Sequence, residues 1–563
     1  MVRVARSWVI RGGVDEEALK SLNFTAAFRS LMKIRGMVDP DQVMGFLTPN
    51  LGQLRDPVDM KGVAEACDRI VRALERDETI GVFTDYDVDG VSSAVLIHRF
   101  LVGVGAKPPM VFIPDRSSDG YGLNRRGIDE LAARGVSLLI TADCGVCSRE
   151  EVAYARFLGM DVIVTDHHEP DGDVPDACAV INPKQNDCLF FGEDLCGAGV
   201  VFHLIIALRK ALRERGHTAL PNLKEELDIV AMATVADAVS LSGVNRILVK
   251  EGLTVINSRS RAGISALAEV AGLRKGLLTR DLGFVIGPRI NAAGRIADAR
   301  KAFDLLTTDD AGVARRLALE LDSLNRSRQA HEQKVLEDAL NMLRDNPPHP
   351  RVALVWGEGW HVGVLGIVAS RLAAILSRPA IVISVSGAQG TGSGRSVAGV
   401  DLHRALGSVS SLLNTFGGHR MAVGFTLDAP KIPDLASALG EALEGVEWGQ
   451  DGPYEVDLKI SPFDLTPAFM DELELLAPYG EGNPEPVFLI PAMEVVDARV
   501  AKDGLAKLVL RHSNRLFHTL KTPFKEDLYE RGRFLDVAFT PVKVRLNGHH
   551  YLYLSLKALA RAR

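Results

Sequence analysis

The chain has 563 residues, which is too long for a single hydrophobic core, so we expect two to four domains. Its 72 acidic and 65 basic side chains give a formal net charge of −7, which argues against a surface coated with positive charge for duplex DNA but leaves room for a local nucleic-acid groove. The longest apolar run, residues 199–208, is too short to cross a bilayer, the N-terminus has no signal-peptide pattern and the six cysteines are scattered, so we expect a cytoplasmic protein with reduced thiols and no membrane association.

Residues 1–65 are predicted to form a mainly helical segment. Apolar residues recur at helical spacing in residues 24–35 and 40–46, and Asp39-Pro40 has the form of a helix start, with Asp as the cap and Pro in the first turn. The segment carries no pattern of catalytic residues, so we assign it a packing role.

Residues 66–245 alternate between short apolar runs and helical stretches. This pattern predicts a parallel sheet that is buried between helices on both faces. In such sheets, ligands bind beyond the carboxyl ends of the strands. The predicted strands are residues 80–83, 110–113, 137–141, 161–165 and 178–181.

Acidic and imidazole side chains follow several of these strands. They are Asp85, Asp87 and Asp89 after the first strand, Asp143 after the third, Asp166, His167 and His168 after the fourth, and Asp237 after a helical stretch at residues 225–233. One acidic turn alone is often just solvated, but carboxylates gathered at one sheet edge repel one another unless a cation neutralises them. Oxygen ligands with one or two imidazoles suit Mn²⁺ or Mg²⁺, and this many ligands fit two ions that share a carboxylate, as in enzymes that hydrolyse phosphoesters.

Four strings in this region resemble the signatures of the DHH phosphoesterase superfamily, and within it those of the RecJ family of single-stranded-DNA-specific 5′→3′ exonucleases. They are Asp-Tyr-Asp-Val-Asp-Gly at 85–90, Thr-Ala-Asp-Cys-Gly at 141–145, Val-Thr-Asp-His-His at 164–168 and Ala-Thr-Val-Ala-Asp at 233–237. The resemblance implies that the metal ligands are Asp87, Asp89, Asp143, His167 and Asp237. It also implies that Asp143 bridges the two ions and that His168 faces the scissile phosphate. Asp166 joins Asp143 and His168 as a catalytic candidate.

Phe83 stands where related pyrophosphatases have a metal-binding His. Asp85 is the candidate to replace that ligand.

Two further strings resemble substrate-binding segments of the same family. In residues 114–123, Arg116 is a candidate to pair with a phosphate and Tyr121 to stack on a base. In the string Gly-Pro-Arg-Ile-Asn-Ala-Ala-Gly-Arg at 287–295, the candidates are Arg289, Asn291 and Arg295. Without the resemblance, the first string could equally be a surface turn.

Residues 313–346 contain neither Gly nor Pro and predict one long helix, ended by Pro347-Pro348, that connects two domains. Residues 350–448 have the pattern of a second α/β domain. It contains two glycine-rich stretches, at 390–396 and 417–424, which we interpret as loops. Both stretches resemble the DHHA1 domain, which in this family closes over the active site. The resemblance makes Arg395 and His419 candidate strand contacts.

The C-terminal region has the pattern of a small β-barrel. Hairpin turns are indicated at Ser513-Asn514 and Asn547-Gly548, and five strands in one small unit suggest an OB-fold, which RecJ enzymes carry there. Basic residues with Phe517, His518 and Tyr551 interleaved suit single-stranded nucleic acid, although they also fit a pattern that protects sheet edges. The predicted strands are residues 494–501, 505–512, 516–521, 534–544 and 551–559.

The sequence therefore predicts an α/β multidomain protein. The expected parts are a helical segment (1–65), a DHH domain (66–245), a connector with a long helix (246–346), a DHHA1 domain (347–450) and an OB-fold domain (451–563). The resemblance implies a two-metal, Mn²⁺- or Mg²⁺-dependent 5′→3′ exonuclease of single-stranded DNA that acts in recombination and repair as a monomer, fed by a helicase and a single-stranded-DNA-binding protein. The alternatives are a phosphodiesterase of short oligonucleotides or cyclic dinucleotides, and a non-catalytic strand-binding scaffold.

Overall fold

The computed structural model describes residues 2–562 apart from 16, 117, 118, 121, 191, 275, 346–348, 449–452, 503, 526, 547 and 548, with only the backbone described at 545, 546 and 550. The chain divides into two compact units. One is residues 51–450, and the other combines residues 1–50 with residues 451–563. Among the described residues, no helix is both long enough and apolar enough to span a bilayer.

The N-terminal segment contains two short strands that the sequence analysis missed. The elements are β1 (Arg3–Val4), β2 (Trp8–Gly13), α1 (Ala26–Ile34) and α2 (Pro40–Leu47). The helix starts follow the prediction, since the Thr25 hydroxyl accepts the Phe28 N–H and Asp39 caps α2. The prediction of a mainly helical segment was wrong for β1 and β2, because their partners lie about four hundred residues or more further along the chain, where local periodicity gives no sign of them.

The predicted parallel sheet is confirmed. Its strand order is β4-β3-β5-β6-β7, every pairing is parallel, and β3 and β5 are buried along their whole length. The elements of this part are α3 (Val63–Glu75), β3 (Ile80–Thr84), α4 (Val88–Gly103), β4 (Met110–Phe112), α5 (Arg125–Ala133), β5 (Leu138–Ala142), α6 (Arg149–Phe157), β6 (Asp161–Thr165), β7 (Ala179–Ile181), α7 (Gly197–Glu214), α8 (Leu227–Ala236) and α9 (Gly243–Ser258).

The connector is helical throughout its named elements, which are α10 (Ala262–Val270), α11 (Thr279–Asp281), a π-helical turn (Leu282–Ile286), α12 (Gly287–Ile296), α13 (Arg300–Thr307) and α14 (Ala311–Asp345). The Gly-Pro-Arg-Ile-Asn string is thus a helix, α12. The long helix α14 has 35 residues and matches the predicted span, whereas the two prolines expected to end it lie outside the described residues.

The second sheet of this unit has the order β11-β12-β10-β9-β8, in which only β8 and β9 run parallel. The interpretation of the two glycine-rich stretches as loops was wrong: the first forms β10, and the second forms the end of β11, a short turn and the start of β12. The glycines of β10 are needed for packing: a Cβ at Gly392 would lie 2.2 Å from the Phe425 ring, and one at Gly394 would lie 2.7 Å from Val423. The elements are β8 (Ala353–Glu358), α15 (Val362–Leu376), β9 (Ala380–Ser386), β10 (Gln389–Arg395), α16 (Leu402–Ser408), β11 (Thr415–His419), β12 (Ala422–Asp428) and α17 (Ile432–Ala442).

The C-terminal strands close into a five-stranded barrel, as predicted for an OB-fold. Its strands pair in the ring β14-β15-β16-β19-β18-β14, and β13 and β2 extend the same sheet beyond β14. The hairpin turn at Ser513-Asn514 is confirmed, and the one at 547–548 lies outside the described residues. The elements are β13 (Tyr454–Lys459), α18 (Pro467–Glu474), β14 (Phe488–Val500), β15 (Leu505–His512), β16 (Arg515–Thr519), β17 (Thr522–Pro523), β18 (Phe534–Leu546) and β19 (His549–Arg561).

Candidate metal centre and strand groove

The turn between β3 and α4 places three carboxylates at the carboxyl edge of the parallel sheet. Asp87 is the N-cap of α4, and its carboxylate accepts the N–H groups of Asp89 and Gly90 at 2.9 and 3.1 Å. Gly90 makes the turn possible, because a Cβ there would lie 2.5 Å from the Asp85 carbonyl oxygen. Asp85, Asp87 and Asp89 are therefore held on one tight backbone segment.

Asp89 is fixed by the N-terminus of a second helix. Its carboxylate accepts the N–H of Gly197 at 2.6 Å and that of Ala198 at 2.8 Å, in the first turn of α7. These free amides and the helix dipole stabilise a buried negative charge. Gly197 was not a predicted site residue, yet a Cβ there would lie 2.7 Å from Cβ of Asp143. The small residues at the start of this long apolar helix were the available signal in the sequence.

Asp143 follows β5 in a left-handed backbone conformation, with φ of 62°. Its N–H donates to the Thr165 carbonyl at 3.0 Å, which ties it to the end of β6. One carboxylate oxygen of Asp143, Oδ1, is buried and receives no hydrogen bond from the described residues. An orphaned buried carboxylate oxygen is costly unless a cation meets it.

The predicted ligands converge on Asp143. Three overlapping groups each offer ligand atoms that all lie within 4.8 Å of one another: Asp85, Asp87 and Asp143; Asp89, His167 and Asp237; and Asp143, His167 and His168. The Nε2 atom of His167 lies 3.2 Å from Asp143 and 3.7 Å from both Asp89 and Asp237. Asp143 thus belongs both to a group with Asp85 and Asp87 and to a group with His167 and His168, which is the arrangement that a bridging carboxylate requires.

The electrostatics of this cluster favour cation binding. Burial and the neighbouring Asp87 raise the pKa of Asp85 to about 8, and burial and Asp89 raise the pKa of Asp237 to about 8. Burial and the surrounding carboxylates, Asp89 first, raise the pKa of Asp143 well above its ordinary value. Hard oxygen donors with imidazole nitrogens, in a pocket whose carboxylates repel one another, fit a pair of divalent ions.

Asp166 holds its neighbours in place. One oxygen accepts the His168 ring at 2.7 Å together with the backbone N–H groups of His167 and His168, and the other accepts the Val146 N–H at 2.9 Å. Burial opposes the charged form of His168, but the hydrogen bond and charge of Asp166 outweigh it and raise the pKa of the imidazole. These hydrogen bonds make Asp166 a candidate to act through His168 and not by direct contact with a substrate.

Known relatives fit this architecture. Three family models match the chain: the DHH family N-terminal domain at residues 79–234, the DHHA1 domain at 349–445 and the RecJ OB domain at 456–558. The single-stranded-DNA-specific exonuclease RecJ of Escherichia coli is 39% identical over 450 residues, which cover 76% of this chain and 78% of that protein. The chain belongs to the RecJ family.

This chain is also similar to RecJ proteins of other bacteria. RecJ of Bacillus subtilis is 36% identical over 495 residues, which cover 86% of this chain, and the chain spans only 62% of that longer protein. A crystal structure of RecJ from Thermus thermophilus in complex with Mn²⁺ is similar over 100% of this chain and 80% of its own, with 32% identity and a TM-score of 0.84.

Three of the arginines that resemble RecJ substrate contacts lie near one another. Arg116 is exposed, with its guanidinium 5.4 Å from the centre of the Tyr86 ring. Burial, and then the charge of Arg116, lower the pKa of Arg295 to about 10 and lower the pKa of Arg395. Repulsion between positive groups is relieved when an anion binds, so these arginines are candidates for phosphate contacts.

The other predicted contacts have different surroundings. Arg289 pairs with Asp322 of α14 at 2.9 Å, and Asn291 accepts the Val88 N–H at 3.0 Å. His419 is exposed at the end of the edge strand β11, and Tyr121 lies outside the described residues.

One face of the second sheet forms a groove of about 290 Å³ with Arg116 at its border. Across β10, β12 and β11 the residues on this face form three rows, which are Thr391-Thr426-Thr415, Ser393-Gly424-Gly417 and Arg395-Ala422-His419. A Cβ at Gly417 or Gly424 would meet no atom within 4 Å, so the floor is open as well as polar. Arg395 and His419 both belong to the third row, so they lie at the same end of this face.

Proposed function

We propose that this RecJ-family protein is an exonuclease that hydrolyses phosphodiester bonds of single-stranded DNA in the 5′→3′ direction, with two divalent ions, Mn²⁺ or Mg²⁺, as cofactors. The observation that carries the proposal is the convergence of carboxylates and His167 on Asp143. The nearby arginines and the open polar groove supply what a nucleic-acid backbone needs. RecJ enzymes act in DNA recombination and repair, and we extend that role to this protein.

The three overlapping ligand groups, which share Asp143 and His167, suggest how the ions are shared. Asp85, Asp87 and Asp143 would hold one ion, and Asp89, His167, Asp237 and Asp143 the other. Asp85 would then replace the His that related pyrophosphatases have at the position of Phe83. Such an ion pair supplies a water of lowered pKa and neutralises charge on the phosphate.

His168 is the residue we assign to the scissile phosphate. Its ring is fixed through Nδ1 by Asp166 at 2.7 Å, and its side chain is 44% exposed, so it is accessible from solvent. A cationic imidazole held in this way can donate a hydrogen bond to a phosphate oxygen as negative charge develops there. Asp166 contributes by keeping the ring in one orientation.

The groove of the second sheet is our candidate for the strand path. Its floor consists of threonine hydroxyls, glycines and Ser393, which allow a sugar–phosphate backbone to approach closely. Arg395 and Arg116 would pair with phosphates, and His419 lies in the same row as Arg395. Selection of single strands would come from the width of the path and not from recognition of bases.

The barrel is our candidate for a second strand-binding surface. Tyr551 is exposed and suited to stacking on bases, as is Phe534. The expectation for Phe517 was wrong, because its ring is buried in the core of the barrel. We also propose that the protein works as a cytoplasmic monomer and receives its strand from a helicase and a single-stranded-DNA-binding protein. Its six cysteines are all free thiols, as is usual in a reducing compartment.

Digestion of end-labelled strands tests the function. The protein should release mononucleotides from 5′ ends of single-stranded DNA with Mn²⁺ or Mg²⁺, should be inactive with chelator, and should leave blunt duplexes intact. Release only from 3′ ends would refute the polarity. Preference for dinucleotides over long strands would favour a short-oligonucleotide phosphodiesterase, and strand binding without hydrolysis would favour a scaffold.

A further inference from the structure

Helix α12 packs against the backbone that carries the metal ligands. The Asn291 Oδ1 atom accepts the N–H of Val88 at 3.0 Å, and Val88 stands between Asp87 and Asp89. One turn further, Gly294 lies so close that a Cβ there would be 2.4 Å from the Tyr86 carbonyl oxygen. At the start of the helix, a Cβ at Gly287 would lie 4.0 Å from Val88. One face of α12 thus contacts Tyr86 and Val88 of the segment 85–89, which carries three of the candidate ligands and is called the metal-binding loop below.

The C-terminus of α12 contacts the second α/β domain. A Cβ at Gly363, in the first turn of α15, would lie 2.3 Å from the Arg295 carbonyl oxygen, and the Arg295 guanidinium donates to the Gly363 carbonyl at 3.4 Å. The same turn of α15 borders the groove through Val362, Leu365 and Gly366. A continuous line of contacts therefore runs from the groove through α12 to the metal-binding loop.

We infer that Asn291 is a positioning residue for the metal-binding loop and that α12 couples strand binding in the groove to the metal affinity of the centre. The inference rests on the proposed two-metal function. Val88 begins α4, where backbone N–H groups have no partner within the helix, so Asn291 supplies an acceptor that the loop needs to hold its shape. Coupling of this kind is reciprocal, so a bound strand and bound metal should strengthen each other.

This assignment differs from a direct substrate contact. If Asn291 touched the strand, its removal would weaken DNA binding and leave metal binding unchanged. If it supports the loop, its removal weakens metal binding even when no DNA is present. Outer-shell groups of this kind are worth about 10- to 100-fold in metal affinity.

Mn²⁺ titration of the full chain without DNA, followed by the electron paramagnetic resonance of free Mn²⁺, tests the residue. Asn291→Ala should bind Mn²⁺ at least about tenfold more weakly than the wild type. Asn291→Asp keeps an acceptor and should restore most of the affinity. Circular dichroism and the melting temperature with chelator check that both variants fold. Wild-type affinity in Asn291→Ala would overturn the inference, whereas a wild-type chain that bound no Mn²⁺ would overturn the proposed function as well.

A second pair of variants tests the coupling. The Cβ added in Gly363→Ala would force α15 away from Arg295. Gly407→Ala, in the same domain, is the control, because its Cβ would contact only the Phe416 ring, at 4.0 Å. Mn²⁺ affinity is measured with and without a short single strand whose linkages resist hydrolysis. The strand should tighten Mn²⁺ binding in the wild type and in Gly407→Ala, and should do so severalfold less in Gly363→Ala. An unchanged strand effect in Gly363→Ala would contradict the coupling.

Discussion

Asp143 combines three features that are unfavourable for folding. It is a non-glycine residue with φ of 62°, its carboxylate is buried, and Oδ1 has no hydrogen-bond donor among the described residues. A left-handed backbone alone costs roughly 1–2 kcal/mol. Such a combination persists where the rest of the structure enforces it, which is typical of functional centres.

Asp143→Asn should separate stability from function. Asn tolerates the left-handed conformation and does not ionise in the unfolded chain, so the cost of keeping a buried carboxyl group protonated at neutral pH disappears and the metal-free protein should melt at a higher temperature than the wild type. Nuclease activity should fall by more than about 100-fold, since the loss of a bridging ligand should exceed that of an outer-shell group. The measurements are thermal melts with chelator and strand digestion with Mn²⁺.

Asp161→Asn is the matched control, because Asp161 begins β6 at the opposite edge of the sheet and pairs with Arg69 at 2.6 Å. It should retain activity and lose a little stability. Full activity in Asp143→Asn would show that Asp143 does not bridge the ions.

The raised carboxyl pKa values predict how stability depends on pH. In the unfolded chain, Asp85 and Asp237 ionise near pH 4, whereas in the metal-free folded chain both keep their protons up to about 8. The unfolded state therefore binds fewer protons between these values, and the stability of the metal-free protein should fall as pH rises from 4 to 8.

Mn²⁺ competes with those protons, so the rise in melting temperature that it causes should grow up to pH 8 and then level off. Melts at several pH values, with Mn²⁺ and with chelator, check this. A Mn²⁺ effect that is constant from pH 6 to pH 9 would mean that the two carboxyl groups are not the ligands.

At the scale of helices and strands, the sequence patterns predicted those elements whose burial is visible in their own run of residues. The strands of the parallel sheet were predictable because strands buried on both faces form short apolar runs, and the acidic residues were placed at the correct edge because parallel strands all end there. The same reasoning failed for β10. Its glycines indicate a loop in the sequence, but in the fold they make room for the Phe425 and Val423 side chains.

The candidate metal centre was likewise only partly predictable from the sequence. The chemistry of Asp87, Asp89 and Asp237 could be inferred from residue type, whereas the support for Asp89 by Gly197 and Ala198 comes from amides more than a hundred residues away. Backbone donors leave no signature in residue identity. The contact between Asn291 and Val88 was missed for the same reason.

The salt dependence of strand binding tests the groove. Arg395→Ala should weaken binding of a single strand and reduce the slope of log K against log salt by about 0.7, the value for one lost phosphate contact. Mn²⁺ affinity without DNA should be unchanged. Arg404→Ala, an exposed arginine on α16 in the same domain, should keep the wild-type slope. An equal slope in both variants would exclude Arg395 from the strand path.

The whole molecule consists of two compact units, and only residues 51–450 contain the predicted metal ligands. Calorimetry should therefore resolve two unfolding transitions. Mn²⁺ at a hundred times the Kd of each site should stabilise one of them by about 2.7 kcal/mol for each bound ion and leave the other unchanged. A single transition that shifts as a whole would mean that the units unfold together.

The second transition can be assigned with a core variant of the barrel unit. Phe488 is fully buried, with its ring 5.5 Å from that of Phe469 and 6.3 Å from that of Phe539. Phe488→Ala should reduce the free energy of unfolding by about 3–5 kcal/mol for the transition that does not respond to Mn²⁺. The other transition should be unchanged. Loss of the Mn²⁺-dependent transition in this variant would contradict the division into units.

The central claim is that acids from distant parts of the chain hold two cations around Asp143. Anomalous diffraction from crystals soaked in Mn²⁺ tests it most directly. We expect two peaks about 3.5–4 Å apart, both in contact with the Asp143 carboxylate, one beside Asp87 and the other beside His167 and Asp237. A single peak, or peaks that do not share Asp143, would contradict the account.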